Sequence, residues 1–277
     1  MQARLAQAEQ LSPGRGALGA EYWNARGRAR RFAATVGETA EHHPLFPRLR
    51  RAVDRHSTVI DVGAGTGRFA LALAPRVKSV VAVDPSRAML GVLRRAARER
   101  GIGNVRCVES RWEDVAVDAA GGLEPADVVI CSYVLPLIAE AEPFLAGMDA
   151  AGKGRAFVSM NAMSADALVD PFWRHFHGAP RKPAPTYLDA AAILAELGAE
   201  PELEVVEVRN RVSHPDLRAA VRSYQEVLAL PDTAEVRAEL RRLLASWLVD
   251  DRGTLRPPIK TTPMAIVSWP CRTGGGR

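Results

Sequence analysis

"VIDVGAGTGRFA", residues 59–70, decides the fold. An apolar run ends in an acid, Asp61, and three glycines follow at alternate positions: Gly63, Gly65 and Gly67. Glycine weakens the interior of a strand or helix. It is used where the backbone needs a positive φ or where another molecule must come close. The run before the glycines reads as a buried strand, and "GRFALALA" after them starts a helix. A glycine loop between strand and helix, at the carboxyl edge of a sheet, is where open α/β folds bind ligands.

The same alternation continues outward from this loop. "SVVAVD", "NVRCVES", "ADVVICSYVL" and "RAFVSM" read as strands. "SRAMLGVLRRAARER", opened by Ser86 as N-cap, and "EPFLAGMDAA" read as the helices among them. Strands alternating with helices predict an α/β fold with a doubly wound, Rossmann-like, mostly parallel sheet of seven strands. Upstream, Tyr22, Ala25, Ala29, Phe32, Ala33 and Val36 stand at helical spacing over 21–36, and a second helix is expected from about His43 to Asp54. These make an N-terminal helical cap over 1–56. After the fifth strand, residues 165–187 turn rich in aromatics and prolines. "LDAAAILAELG" is then a helix and "LEVVEVR" a strand. Residues 214–248 read as two helices broken at Pro231, and "PMAIVSW" (263–269) is the last strand. The main domain is thus expected over 57–271, with a helical insert at about 210–261 and a flexible tail at 272–277.

Composition excludes several classes. The 277 residues are 47% hydrophobic and 25% charged, as in an ordinary globular protein. The N-terminus lacks an apolar signal region, and no apolar run is long enough to span a membrane. Cys107, Cys131 and Cys271 have no metal-ligand spacing and read as buried free thiols of a reducing, cytoplasmic compartment. The net charge is +5. Residues 1–56 hold ten arginines and five acids, so the whole excess sits there. A solvated helix face explains it, and a nucleic-acid arm is the alternative.

The loop departs from the dinucleotide pattern G-x-G-x-x-G, whose third glycine would fall on Arg68. Asp61 also disfavours a pyrophosphate, whereas a ligand with its own positive charge would welcome it. Asp84 ends the second strand, 19 residues after Gly65 (84 − 65), where an acid hydrogen-bonds ribose hydroxyls. The ligand therefore has a ribose and a cation, and it passes close to backbone.

At these residues the chain resembles the class I S-adenosylmethionine-dependent methyltransferases. "VIDVGAGTG" looks like their first motif, Asp84 like the acid of the next strand, and "ADVVICSYVL" like the strand ending at the methyl group. The likeness covers about 57–162. It implies S-adenosyl-L-methionine as cofactor, with Asp61 at the ammonium end, Asp84 on the ribose, and Gly63, Ala64, Gly65 and Gly67 under the methionine part. Pro85 and Ser132 join this set. Relatives often place an Asp after the third strand to meet the adenine amine; here Arg111 stands there, followed by Trp112 and Glu113. Either Trp112 covers the base while a backbone amide or Glu113 reads its edge, or Trp112 packs in the core.

Methyl transfer needs alignment more than a covalent nucleophile. Tyr133, after the fourth strand, could orient the acceptor or simply pack. In "PFWRHFHG", Trp173 and its neighbours would line the acceptor side, with His175 as a general base or a structural histidine. His42 and His43 are given no role, and no metal site is expected. The insert, longer than common connections, could form a lid or pocket wall. The expected function is methyl transfer to a small-molecule acceptor. A methyltransferase of RNA or protein and a non-catalytic nucleoside-binding protein are the alternatives. No membrane partner is expected.

Overall fold

The structure, a computed structural model, describes residues 20–25, 27–36, 40–115, 117, 122–162, 166–182 and 185–272. The tail expected beyond 272 lies outside them. Among the described residues no helix is long and apolar enough to cross a membrane. The chain divides into two compact units, one over 18–160, 185–205 and 265–277, the other including 161–184 and 206–264. The cap and the aromatic segment therefore group differently from the expected boundaries: the first belongs with the sheet, the second with the insert.

In the sheet unit, β1 (Thr58–Val62), β2 (Ser79–Asp84), β3 (Val105–Glu109), β4 (Ala126–Ser132) and β5 (Gly152–Asn161) are the expected strands. The seven-stranded order is β3-β2-β1-β4-β5-β9-β6, where β6 is Glu202–Arg209 and β9 is Thr261–Pro270. The last strand in sequence thus enters between the fifth and sixth. Pairing is parallel from β3 through β5, with Asp61 opposite Ala82 and Ile130. β1 is central, and the chain winds outward from it in both directions. That reversal puts the ligand crevice at the carboxyl ends of β1, β2 and β4.

The helices follow their sequence signals. Ser86 caps α5 (Arg87–Glu99), accepting from the Met89 N–H at 3.2 Å. Thr186 and Asp189 form a capping box on α8 (Tyr187–Glu196), which packs against α6 (Ala141–Ala150). α4 (Arg68–Leu73) is the helix after the glycine loop. The expected helix over 21–36 is two helices, α1 (Ala20–Asn24) and α2 (Arg28–Val36). Gly27, at φ +74°, stands between them, a conformation that ends a right-handed helix. Both pack on α5. The helix expected from His43 is α3 (Leu45–Ala52), preceded by a short turn at Ala40–His42.

The other unit has its own core. It is built from α7 (Asp166–His177), α9 (Leu217–Val227), α10 (Ala234–Trp247) and a hairpin of β7 (Val249–Asp251) with β8 (Thr254–Arg256) that the sequence did not announce. Asp216 and Thr233 cap the two helices that flank Pro231. Phe172, Trp173, Tyr224, Leu228, Leu240 and Leu244 are buried together.

Candidate active site

The glycine loop is tied to the end of β2. The N–H groups of Gly63 and Ala64 both donate to the Val83 carbonyl, at 2.8 and 3.0 Å, and the Gly67 N–H donates to Ala64. Gly63 is closed in by packing: a Cβ there would lie 2.2 Å from Val134 Cγ2. Gly65 is different. Its φ is +55°, and a Cβ would meet nothing nearer than the Gly63 carbonyl at 4.0 Å. Its missing side chain leaves open space against the backbone, which is what a ligand lying on the loop requires.

Asp84 connects loop and strand. Its Oδ2 accepts the Gly65 N–H at 2.8 Å and its Oδ1 accepts the Ser86 N–H at 2.8 Å. Each oxygen keeps a further lone pair for a ligand hydroxyl. Burial raises its pKa, and these two N–H groups oppose the rise. Asp61 is 2% exposed and accepts the Ala70 N–H of α4 at 3.1 Å. Burial pushes its pKa up to about 7; Asp84 adds to this, while the Ala70 N–H and the Arg68 charge oppose it. A buried acid poised near neutrality suits a ligand that brings a cation with it.

Beyond β3 the geometry departs from one expectation. Trp112 is 6% exposed, its indole N–H donates to the Phe144 carbonyl at 3.2 Å, and it packs with the sheet core. Its ring packs in the core, the second of the two readings its position allowed. Large aromatics near a site are common core residues, and the gap at Gly147 is shaped for this one: a Cβ there would lie 3.1 Å from Trp112 Nε1. Arg111 and Glu113 are exposed and face each other at 3.7 Å. Pro85 is exposed beside Asp84.

At the end of β4, the Ser132 and Ser159 hydroxyls hydrogen-bond at 2.8 Å, and the Tyr133 N–H donates to the Ser159 carbonyl. Tyr133 sits at φ +59°, a left-handed conformation that a bulky residue adopts only when its surroundings impose it. Its ring meets His43 edge-to-face at 5.9 Å. Burial raises the phenol pKa, against the pull of the Arg68 charge. At neutral pH Tyr133 is therefore a neutral donor.

Two residues with no expected role complete this corner. His43 Nδ1 accepts the Leu45 N–H at 3.2 Å, which puts the ring proton on Nε2. That Nε2 is buried with no hydrogen-bond partner, and the ring packs edge-on to Phe69 at 5.1 Å. Burial, then the charge of Arg68, lowers its pKa to about 4. Arg68 opens α4, where the helix dipole disfavours a cation. That misfit was the available signal for Arg68. For His43 the sequence held none beyond its neighbour His42. Asn24 is a third unexpected participant: its side-chain oxygen accepts from the Ser86 hydroxyl at 2.8 Å and the Ala88 N–H at 3.1 Å. It also lines a cleft of about 550 Å³ with Gly27, Arg30, Ala88, Gly91 and Arg95.

The aromatic segment is placed otherwise than expected. Trp173 is 1% exposed within the core of its own unit, so it is a packing residue. His175 is exposed on α7, with Nε2 2.9 Å from Glu239 Oε1. That pair occupies one of its two ring nitrogens.

Residues 59–153 match the family described as "Methyltransferase domain". This stretch is a methyltransferase domain. The chain is 26% identical over 121 residues to an uncharacterized methyltransferase of Bacillus subtilis, YcgJ, across 43% of this chain and 46% of that one. It is 26% identical over 176 residues to an uncharacterized protein of Haemophilus influenzae, across 61% and 62%. The chain thus spans about half to three-fifths of the length of these curated relatives. Among solved structures, magnesium protoporphyrin IX methyltransferase of Synechocystis PCC 6803 with bound S-adenosylhomocysteine shares the fold. Its TM-score is 0.56 at 15% identity, covering 90% of this chain and 96% of that one. The methyltransferase domain holds the glycine loop, Asp61, Asp84 and Tyr133. These residues fit S-adenosyl-L-methionine: open space over Gly65, a buried acid for its ammonium, and a carboxylate with spare lone pairs for its ribose.

Proposed function

We propose that the protein is an S-adenosylmethionine-dependent methyltransferase acting on a small-molecule acceptor. The observation that carries this is the Asp84–Gly65 hydrogen bond beside buried Asp61, at the point where the strand order reverses. The cofactor supplies a methyl group on a positively charged sulfur. Asp61 holds the ammonium, and Asp84 takes the ribose hydroxyls. The backbone at 63–67 lies under the methionine part, and the segment 111–113, chiefly Glu113, meets the adenine edge. Tyr133 and the Ser132–Ser159 pair stand at the end of β4, where they orient the acceptor. Such alignment can supply about 7 to 11 kcal/mol of the barrier.

The basic N-terminal segment favours the small-molecule reading over an RNA or protein substrate. Arg48 is bonded to Glu204 and to the Pro44 carbonyl, and Arg28 lies over the Tyr22 ring at 3.7 Å. These two of the segment's ten arginines are engaged within the protein itself. The three free thiols agree with a cytoplasmic location. Calorimetry with S-adenosylhomocysteine, followed by transfer of labelled methyl into a metabolite pool, tests the proposal. Absence of binding, or tight NAD binding in its place, would refute it.

A further inference from the structure

The corner formed by His43, Arg68, Phe69 and Tyr133 contains two donors that the protein itself does not satisfy. Arg68 is half-buried, yet among the described residues its guanidinium makes no hydrogen bond and no ion pair. Its charge acts on Asp61, His43 and Tyr133, so it lies among them. Asp61, whose carboxylate could have neutralised it, bonds the Ala70 N–H instead. The His43 Nε2–H is the second donor, buried and without a partner, and its tautomer is fixed by Leu45. A buried donor left unpaired is costly, and a guanidinium out of water without a counter-ion is more so. The Tyr133 phenol is a third, neutral donor at this corner: its ring meets His43 at 5.9 Å, on a backbone held in a left-handed conformation. Three donors, one of them cationic, gather here, and the anion whose charge reaches Arg68, Asp61, is hydrogen-bonded to none of the three.

We propose that Arg68, His43 and Tyr133 form a site for a carboxylate, with Arg68 as the counter-ion and the imidazole N–H and phenol as neutral donors. A planar carboxylate matches the guanidinium fork, and the Phe69 and His43 rings wall the site for an organic anion. The carboxylate has two possible sources: the amino-acid end of the cofactor or the methyl acceptor. The inference rests on the methyltransferase reading, because that reading brings the ligand to this edge of the sheet.

Calorimetry on the full chain, with Arg68→Gln and Arg68→Lys, tests it. One arm compares S-adenosylmethionine with decarboxylated S-adenosylmethionine. The other compares benzoate with benzamide on protein saturated with S-adenosylhomocysteine. Arg68→Gln should weaken the carboxylate member of one pair by about 10- to 100-fold and leave its carboxylate-free partner unchanged. The lysine variant, which keeps the charge, should recover part of the loss. The arm that responds identifies the source. If Arg68→Gln folds and shifts both members of each pair equally, or neither, the site is refuted. If that variant does not fold, Arg68→Lys alone decides, by weakening the carboxylate member or failing to. Wild-type protein that binds no S-adenosylmethionine would instead refute the methyltransferase reading, and benzoate against benzamide on the free protein, with and without Arg68→Gln, would then decide the site.

Discussion

The Asp84 carboxylate accepts the Gly65 N–H at 2.8 Å, so the acid closing β2 and the middle glycine of the loop are one mechanical unit. Removing the carboxylate removes both a ribose partner and the tie that shapes the loop. Asp84→Ala should weaken S-adenosylhomocysteine binding by about 1 to 3 kcal/mol. Asp84→Asn keeps an oxygen for one of the two N–H groups and should lose less. Isothermal titration of both variants checks this order.

Asp61 predicts a pH dependence of binding. Its pKa is raised to about 7 without a ligand, and an ammonium beside it favours the ionised form. Below that pH, binding has to release a proton. Affinity should therefore fall as pH drops from 7.5 to 5.5, approaching about tenfold per pH unit at the acid end. Asp61→Asn should bind weakly and show a flat profile. A wild-type profile equally flat would remove Asp61 from the ammonium site.

His43 acts on stability in acid. Its folded pKa of about 4 lies below the ordinary histidine value, so the native state binds fewer protons than the unfolded state between roughly pH 4 and 6.5. Stability from this group is complete above pH 6.5 and is lost as pH falls toward 4. The loss is at most about 3 kcal/mol. Asp61 pulls the other way, since its raised pKa favours the folded state at low pH. Urea unfolding of His43→Asn at pH 7.5 and pH 5 isolates the histidine: the variant should lose less stability on acidification than the wild type.

Trp173→Ala and His175→Ala should part company. Trp173 is a fully buried core residue, and its truncation should cost about 3 to 5 kcal/mol. His175→Ala removes an exposed ion-pair partner of Glu239 and should leave thermal stability and cofactor affinity near wild type. Thermal melts compare the two. A marked fall in methyl transfer in His175→Ala, with folding intact, would return it to the chemistry.

The parts of this protein that were legible in the sequence are those fixed by local rules. Buried β-branched runs, an N-cap at Ser86 and glycines between strand and helix each have a short-range cause, and the strands followed from them, whereas the entry of β9 between β5 and β6 depends on long-range pairing. The break at Gly27 was also local, but it is a single residue inside a convincing amphipathic pattern, and its positive φ is not written in the pattern. Trp112 and Trp173 could not be placed by sequence, because an aromatic near a site and an aromatic in a core look alike until the neighbouring gap is seen. His43 was invisible for a different reason. Its environment comes from Phe69, Arg68 and Tyr133, which are distant in sequence and meet only at the carboxyl edge of the sheet.

Tyr133 has a consequence for anyone who would stabilise this protein. Glycine or asparagine tolerates its left-handed backbone at lower strain, so replacing the tyrosine relieves a conformational penalty of about 1 to 3 kcal/mol, offset by the packing it gives up. A search that selects for melting temperature alone will be drawn to such a position. If the phenol serves the acceptor, that search discards activity in the same step. On the proposed role of Tyr133, thermostability and turnover conflict at this residue, and a variant library should hold position 133 fixed.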